Sequence, residues 1–213
     1  NPERIVCDQQ IALGYMHSGY PIMCHSDVYD MNVSLAQLRG TKTEPGGWGQ
    51  WHELGHNHQV AAWTPSSTGE VTVNIFSMYV MNKLHGVPLD TSRPDKLSTE
   101  NRRVILSEYL GSTRTAADWD AFEGLLLYYQ LIDAFGWKKL QEVFAEYRKL
   151  KPEENPQNDA EKWDQWLVRY SRAVNKNLGP FFVKWRVPVS KKALDSVRTL
   201  PAWMHDDFKV LGK

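Results

Sequence analysis

Cysteine is scarce in this chain. Only Cys7 and Cys24 occur, too few for a zinc ribbon or a disulfide framework. They leave two readings open: one bridge between neighbouring strands, or two free thiols. Net charge is missing as well, since 25 Lys and Arg offset 25 Asp and Glu among the 213 residues. Nucleic-acid binders usually carry a basic excess, so no nucleic-acid partner is expected. Long apolar runs are also lacking. The best stretches, around 125–129 and 71–81, are short or broken by polar residues and fall well under the roughly 18 residues that a membrane span requires. Neither an internal repeat nor a low-complexity tract is found. The sequence opens on Asn1-Pro2 with no initiator Met and no signal-like apolar segment, which predicts a processed fragment of a longer multidomain protein.

What is present describes a globular chain. Hydrophobic residues make up 42% and charged residues 23%, and the length suits one core better than two independent domains. The reading is therefore a single domain over residues 1–213. Nine Trp and nine Tyr can fill that core, and such rings also stack against sugars in clefts. Short β-like stretches at 4–6 and 20–23 flank a Gly-punctuated turn at 14–19. The Gly-rich run 45–49 then precedes a helix expected from Trp48 to about Ala62, closed by Thr64-Pro65. A second helix is expected over 70–84, with Ser67 and Glu70 at capping-box spacing. Further helical patterns cover 99–110, 118–135, 138–151 and 161–174. In the 118–135 pattern, Phe122, Leu125, Leu126, Tyr129 and Ile132 recur at helical spacing and predict a core face. The proline-interrupted end, 180–213, reads as an irregular docked tail. The fold class is α+β, predominantly helical, with a small sheet from the N-terminal end.

One short motif carries chemistry: His52-Glu53-Leu54-Gly55-His56. On a helix, positions i and i+4 share a face one turn apart, so two imidazoles can reach one metal ion at about 2.0–2.1 Å. Glu53 adjoins that face and can take a proton from a metal-activated water without ligating the ion. Chance alone would place this pattern in roughly one sequence in a hundred of this composition. A catalytic zinc needs a third protein ligand and one open position. Glu70 is the best candidate, 14 residues past His56 in the first turn of the next helix, where a carboxylate can also simply serve the helix dipole. His58 points about 200° away from His56 around a helix and makes a poor ligand. Asn74, one turn after Glu70, suits either a hydrogen bond to a ligand or helix packing. His17, His25, His85 and His205 read as ordinary histidines rather than ligands.

Several segments taken together go further. Gly46-Gly47-Trp48-Gly49, His52-Glu53-Leu54-Gly55-His56-Asn57, Gln59 and Glu70-Val71-Thr72-Val73-Asn74-Ile75 resemble the enhancin-like, mucin-degrading zinc metallopeptidases of peptidase family M60, a gluzincin type. The upstream run 14–23 and the downstream run 131–137 resemble that family too. The resemblance implies a zincin-like metallopeptidase catalytic domain with its small sheet beside the HExxH helix. It implies one Zn2+ per chain held by His52, His56 and Glu70, with Glu53 as the general base. It further implies an endopeptidase acting on glycoproteins, O-glycosylated mucin-like ones among them, with flanking carbohydrate-binding domains in the full-length protein and a secreted or cell-surface location. Tyr15, His17, Tyr20 and Trp48 are candidates for lining a substrate cleft, with core or strand packing as the alternative for Tyr15, His17 and Tyr20. Two other functions remain open: a non-catalytic glycan- or protein-binding module of the same fold, and a zinc hydrolase acting on some other amide.

Overall fold

The computed structural model describes residues 2–211. Three strands come first: β1 (Ile5–Asp8), β2 (Met16–His17) and β3 (Ile22–His25). The helices follow in order: α1 (Tyr29–Val33), α2 (Leu35–Arg39), α3 (Trp48–His56), α4 (Gly69–Thr72), α5 (Asn74–Tyr79), α6 (Pro94–Leu97), α7 (Thr99–Gly111), α8 (Ala121–Tyr147), α9 (Asp159–Val174), α10 (Gly179–Lys184), α11 (Lys191–Val197) and α12 (Asp206–Leu211). The predicted class holds: mostly helix, with one small sheet. No helix among the described residues is long and apolar enough to cross a membrane.

The chain divides into two compact units. The first comprises 1–59 and 72–101, the second 60–71 and 102–213.

In the first unit β3 is the central strand. It pairs in parallel with β1 and antiparallel with β2. Its alternating burial, with Ile22 and Cys24 inside, is the period-two pattern of a strand covered on one face. Cys7 and Cys24 are register partners across β1 and β3, and both are free thiols whose Sγ atoms lie 3.1 Å apart. Asn32 Nδ2 donates to both sulfurs at 3.2 Å. Burial, with the Cys7 hydrogen bond adding to it, pushes the Cys24 thiol up to about 12, so it is a packing group rather than a nucleophile.

Helix α3 packs on α5, and Gly55 sets how closely. A Cβ at position 55 would stand 2.9 Å from Val73 Cγ2, 3.0 Å from the Val73 carbonyl oxygen and 3.1 Å from Phe76 Cβ. No larger side chain fits between the two helices without moving one of them. The glycine inside the HExxH motif therefore decides how near α3 comes to the segment carrying Asn74.

The second unit is built around α8, whose residues 123–132 are buried on every side. That is more than the single apolar face the sequence predicts. Phe122, placed in that face, is only half-buried. All-round burial brings polar groups inside, and two of them are paired across the unit. Glu123 pairs with Arg114 at 2.8 Å. Gln130 accepts from Trp185 Nε1 at 2.9 Å and donates to Asp207 at 3.0 Å. The break expected after residue 135 is a kink at Gly136, with φ 77° and ψ 162°; positive φ is a conformation that glycine alone adopts cheaply. Around α8 and α9 the aromatics cluster: Trp63 stacks on Phe144 with centroids 4.4 Å apart, and Trp166 Nε1 donates to the Trp63 carbonyl at 2.6 Å.

Three local expectations fail. The 180–213 stretch is not an irregular tail: it contains α10, α11 and α12. Pro180 stands in the first turn of α10, where its missing N–H would have had no partner anyway. The helix beginning at Trp48 ends at His56 rather than near Ala62, because Asn57 and His58 turn the chain and Val60 is extended at φ −126°, ψ 131°. Ser67 does not close a capping box with Glu70; its hydroxyl donates instead to the Ala116 carbonyl at 3.4 Å.

Candidate metal centre

The centre is organised by α3. His52 and His56 are one turn apart, and their rings meet edge to face with centroids 4.7 Å apart and planes at 87°. Their Nε2 atoms converge to 3.2 Å. Two ligands at about 2.0–2.1 Å from a tetrahedral zinc stand roughly 3.3–3.4 Å apart, so the separation suits a shared ion.

The outer nitrogens of both rings are engaged. His52 Nδ1 lies 2.8 Å from Asn74 Oδ1, and the same oxygen accepts from Trp48 Nε1 at 3.1 Å. An indole N–H can only donate, which identifies the Asn74 atom facing both groups as the oxygen. His52 Nδ1 must then be the donor at that contact. His56 Nδ1 lies 2.7 Å from Gln59 Oε1, and Gln59 Nε2 lies 2.7 Å from Thr72 Oγ1.

One possible ligand atom from each of His52, His56 and Glu70 falls within 4.8 Å of the others, the one such group of three found among the described residues. The chain path accounts for Glu70. Residues 69–79 are helical almost throughout, with Val73 itself at φ −61°, ψ −38°, so Glu70 sits one turn before the Asn74 that holds His52. Glu70 is exposed and the two histidines are half-buried. Two imidazoles and a carboxylate form the donor set of a catalytic zinc site, so the residues present fit the ion. Glu53 follows His52 on α3, half-buried and without a hydrogen bond or ion pair among the described residues.

The other sequence candidates fare differently. Trp48 is half-buried; its indole is tied to Asn74 and its ring lies under Arg93, 5.5 Å from the guanidinium carbon. Tyr15 and Tyr20 are 53% and 64% exposed. Their hydroxyls donate to Asp27 at 2.6 Å and Glu3 at 3.2 Å, so their ring faces are what remain available. His17 lies on β2 with Nδ1 3.0 Å from the Ser18 carbonyl. His58 is exposed and turns back to the Leu54 carbonyl at 2.8 Å, consistent with its exclusion as a ligand. Reasoning from sequence assigned no task to Gln59, Thr72 or Asn57. The Asn57 side chain bonds both the N–H and the carbonyl of Gly19, at 2.9 and 3.0 Å, and so fastens the loop after β2 to the end of α3.

The helical fold with a small sheet, and a histidine pair on one helix face, are those of a metallopeptidase domain. Solved structures bear out the fold. A functionally unknown conserved protein from Bacillus anthracis str. Ames superposes with a TM-score of 0.79 at 28% identity, over 96% of this chain and 40% of that one. The IMPa metallopeptidase from Pseudomonas aeruginosa, solved with an O-glycopeptide, superposes with a TM-score of 0.68 at 18% identity, over 95% of this chain and 26% of that one. Residues 1–186 match peptidase M60, enhancin and enhancin-like, and the chain belongs to that family. Among curated proteins, TRPM8 channel-associated factor 2 of Homo sapiens is 38% identical over 210 residues, covering 98% of this chain and 22% of its own length. The chain thus spans about a fifth of the curated relatives it matches.

Proposed function

We propose that this chain is the catalytic domain of a zinc-dependent endopeptidase that hydrolyses peptide bonds of glycoproteins, O-glycosylated mucin-like ones among them. The observation that carries the reading is the 3.2 Å convergence of His52 and His56 Nε2, with an amide oxygen against the Nδ1 of each ring. One zinc ion per chain would be held by His52, His56 and Glu70. When bound, the ion supplies Lewis acidity, polarising a carbonyl and lowering the pKa of water from 15.7 to about 7. Glu53 takes the proton of the attacking water and later gives it to the departing amine nitrogen. Asn74, with Trp48 behind it, keeps His52 in the ligating tautomer. The exposed rings of Tyr15 and Tyr20 offer faces on which a sugar can stack, and His17 lies on the strand between them. The complex of the structurally similar IMPa with an O-glycopeptide supports this substrate class, and a secreted or cell-surface setting would suit it.

Zinc content and variants test the assignment. The wild-type chain should hold about one zinc, and His52→Ala or His56→Ala should hold little. Glu70→Gln should weaken the metal itself, while Glu53→Gln should keep it. Full zinc occupancy in either histidine variant would remove the ligand assignment.

A second reading is favoured by the names of the curated relatives, which are channel-associated factors at 35–40% identity. On that reading the domain is a non-catalytic binding module that retains the fold and engages a membrane channel or a glycan. A binder has no use for a partner-free Glu53 beside the histidines. Zinc-replete protein that never cleaves a glycoprotein, yet binds one unchanged as Glu53→Gln, would favour the module.

A further inference from the structure

We infer that Gln59, anchored by Thr72, is a positioning residue that sets the proton of His56 on Nδ1 and thereby makes Nε2 available to a metal ion. The inference rests on the zinc reading above and adds to it two residues outside the ligand set. Its geometry is short and directional: Gln59 Oε1 to His56 Nδ1 is 2.7 Å, and Gln59 Nε2 to Thr72 Oγ1 is 2.7 Å. A side-chain amide oxygen carries no hydrogen, so at that contact the imidazole nitrogen donates. A neutral imidazole has one N–H. Its Nε2 then has an acceptor's lone pair, and it is the atom that meets His52 Nε2 at 3.2 Å.

The backbone makes the contact possible. Helix α3 stops at His56, and the N–H groups of His58 and Gln59 bond back to the carbonyls of Gly55 and His56 at 2.9 and 3.3 Å. That tight turn brings Gln59 round to the outer edge of the His56 ring. Thr72, fully buried at the end of α4, is a stiff β-branched anchor, so the far end of the relay is fixed. His52 is held in the same manner by a different amide, Asn74, with Trp48 as its donor. Both imidazoles are therefore held at Nδ1 by neutral amides. A carboxylate at either place would put a second negative charge near an ion that already has Glu70, and would reduce the positive charge the site can offer a substrate carbonyl.

The test uses the whole chain with three variants and two readouts. Zinc affinity is measured by competition with a chromophoric chelator, and the His56 tautomer is read from imidazole 15N shifts in the metal-free protein. Gln59→Leu should bind zinc about 10–100-fold more weakly and move the His56 proton to Nε2. Gln59→Glu keeps an acceptor facing Nδ1 and should recover most of the affinity and the wild-type tautomer. Thr72→Val, which removes the anchor, should fall between them. Wild-type zinc affinity and an unchanged His56 tautomer in Gln59→Leu would overturn the inference. A wild-type chain that binds no zinc would overturn the zinc reading instead. The tautomer then decides the role of Gln59 without metal: Nδ1–H in the wild type and Nε2–H in Gln59→Leu supports it, and the same tautomer in both refutes it.

Discussion

The Oδ1 atom of Asn74 lies 2.8 Å from Nδ1 of His52, and that contact ties the packing of α3 on α5 to the chemistry of the histidine pair. Asn74 is 2% exposed, so its amide cannot exchange this partner for bulk water. Replacing it with Leu keeps the volume and deletes the acceptor. The expected result for Asn74→Leu is a zinc affinity about 10–100-fold weaker. Losing the Trp48 N–H bond should add about 0.5–1.5 kcal/mol of instability. Chelator competition and a denaturant melt read the two effects separately.

Glu53 should behave differently from every ligand. In Glu53→Gln the side chain keeps its size but cannot accept a proton. Zinc content should stay at the wild-type level while turnover falls by about 10²–10⁴-fold. Loss of zinc together with loss of rate would make Glu53 a ligand rather than a base.

Gly55 offers a test that leaves every polar group in place. The new methyl of Gly55→Ala would meet Val73 and Phe76 at 2.9–3.1 Å, and relief requires α3 and α5 to move apart. Overpacking of this kind costs about 1–3 kcal/mol. The same displacement should pull His52 from Asn74 and weaken zinc binding. A variant with wild-type melting temperature and wild-type zinc affinity would contradict so close an approach of the two helices.

The second unit predicts a pH dependence of its own. Burial alone would lower the pKa of His205, but hydrogen bonds to Asp133 and Asp207 outweigh it and the net shift is upward from 6.5. The contacts are 3.3 Å to Asp133 and 3.4 Å to Asp207, and Arg102 and Gln130 also reach Asp207. A raised folded pKa contributes stability that is complete below the unfolded value near 6.5 and is lost as pH rises through the folded value. Asp207 works in the opposite sense. Burial opposes its ionisation, but bonds from His205 and Gln130 hold its carboxyl far below the usual range, so its contribution is present at neutral pH and disappears only in strong acid. Melting temperatures taken from pH 6 to pH 9 should therefore fall more in the wild type than in His205→Asn. Parallel curves for the two proteins would dismiss the pair.

The fold class and the histidine pair of the candidate metal centre were legible in the sequence, and the local details around them were not, for physical reasons. His52 and His56 could be read because the helical period puts i and i+4 on one face, whatever else the chain does. Asn74 could be suspected because it follows Glu70 by one turn. Gln59 could not. The apolar run Val60-Ala61-Ala62 suggested that the helix continued past it, and only the turn at Asn57-His58 brings its amide to His56. The helices after residue 178 were hidden by prolines read as breakers, although Pro180 occupies a first turn and Ser190 caps α11 by accepting from the Ala193 N–H at 3.1 Å. The all-round burial of 123–132 escaped notice because Glu123 and Gln130 look like surface residues until Arg114, Trp185 and Asp207 are seen to pair with them.

The exposed rings of Tyr15 and Tyr20 allow the proposed glycan requirement to be tested. If a sugar beside the scissile bond supplies binding energy in the transition state, removing it lowers rate as well as affinity. A mucin-like polypeptide stripped of its O-glycans should be cut poorly or not at all, and Tyr15→Ala with Tyr20→Ala should narrow the difference between the two substrates. Equal rates on both forms, with termini set by peptide sequence alone, would refute the glycan requirement and leave the peptidase reading intact.

The most direct measurement is the appearance of new amino termini in an O-glycosylated mucin-like polypeptide, followed by mass spectrometry with the zinc-loaded chain. Cleavage should stop when a chelator removes the metal, return when zinc is added back, and be absent from Glu53→Gln at equal zinc content. Termini that accumulate equally with chelated protein or with Glu53→Gln, or no cleavage by protein carrying one zinc per chain, would contradict the account.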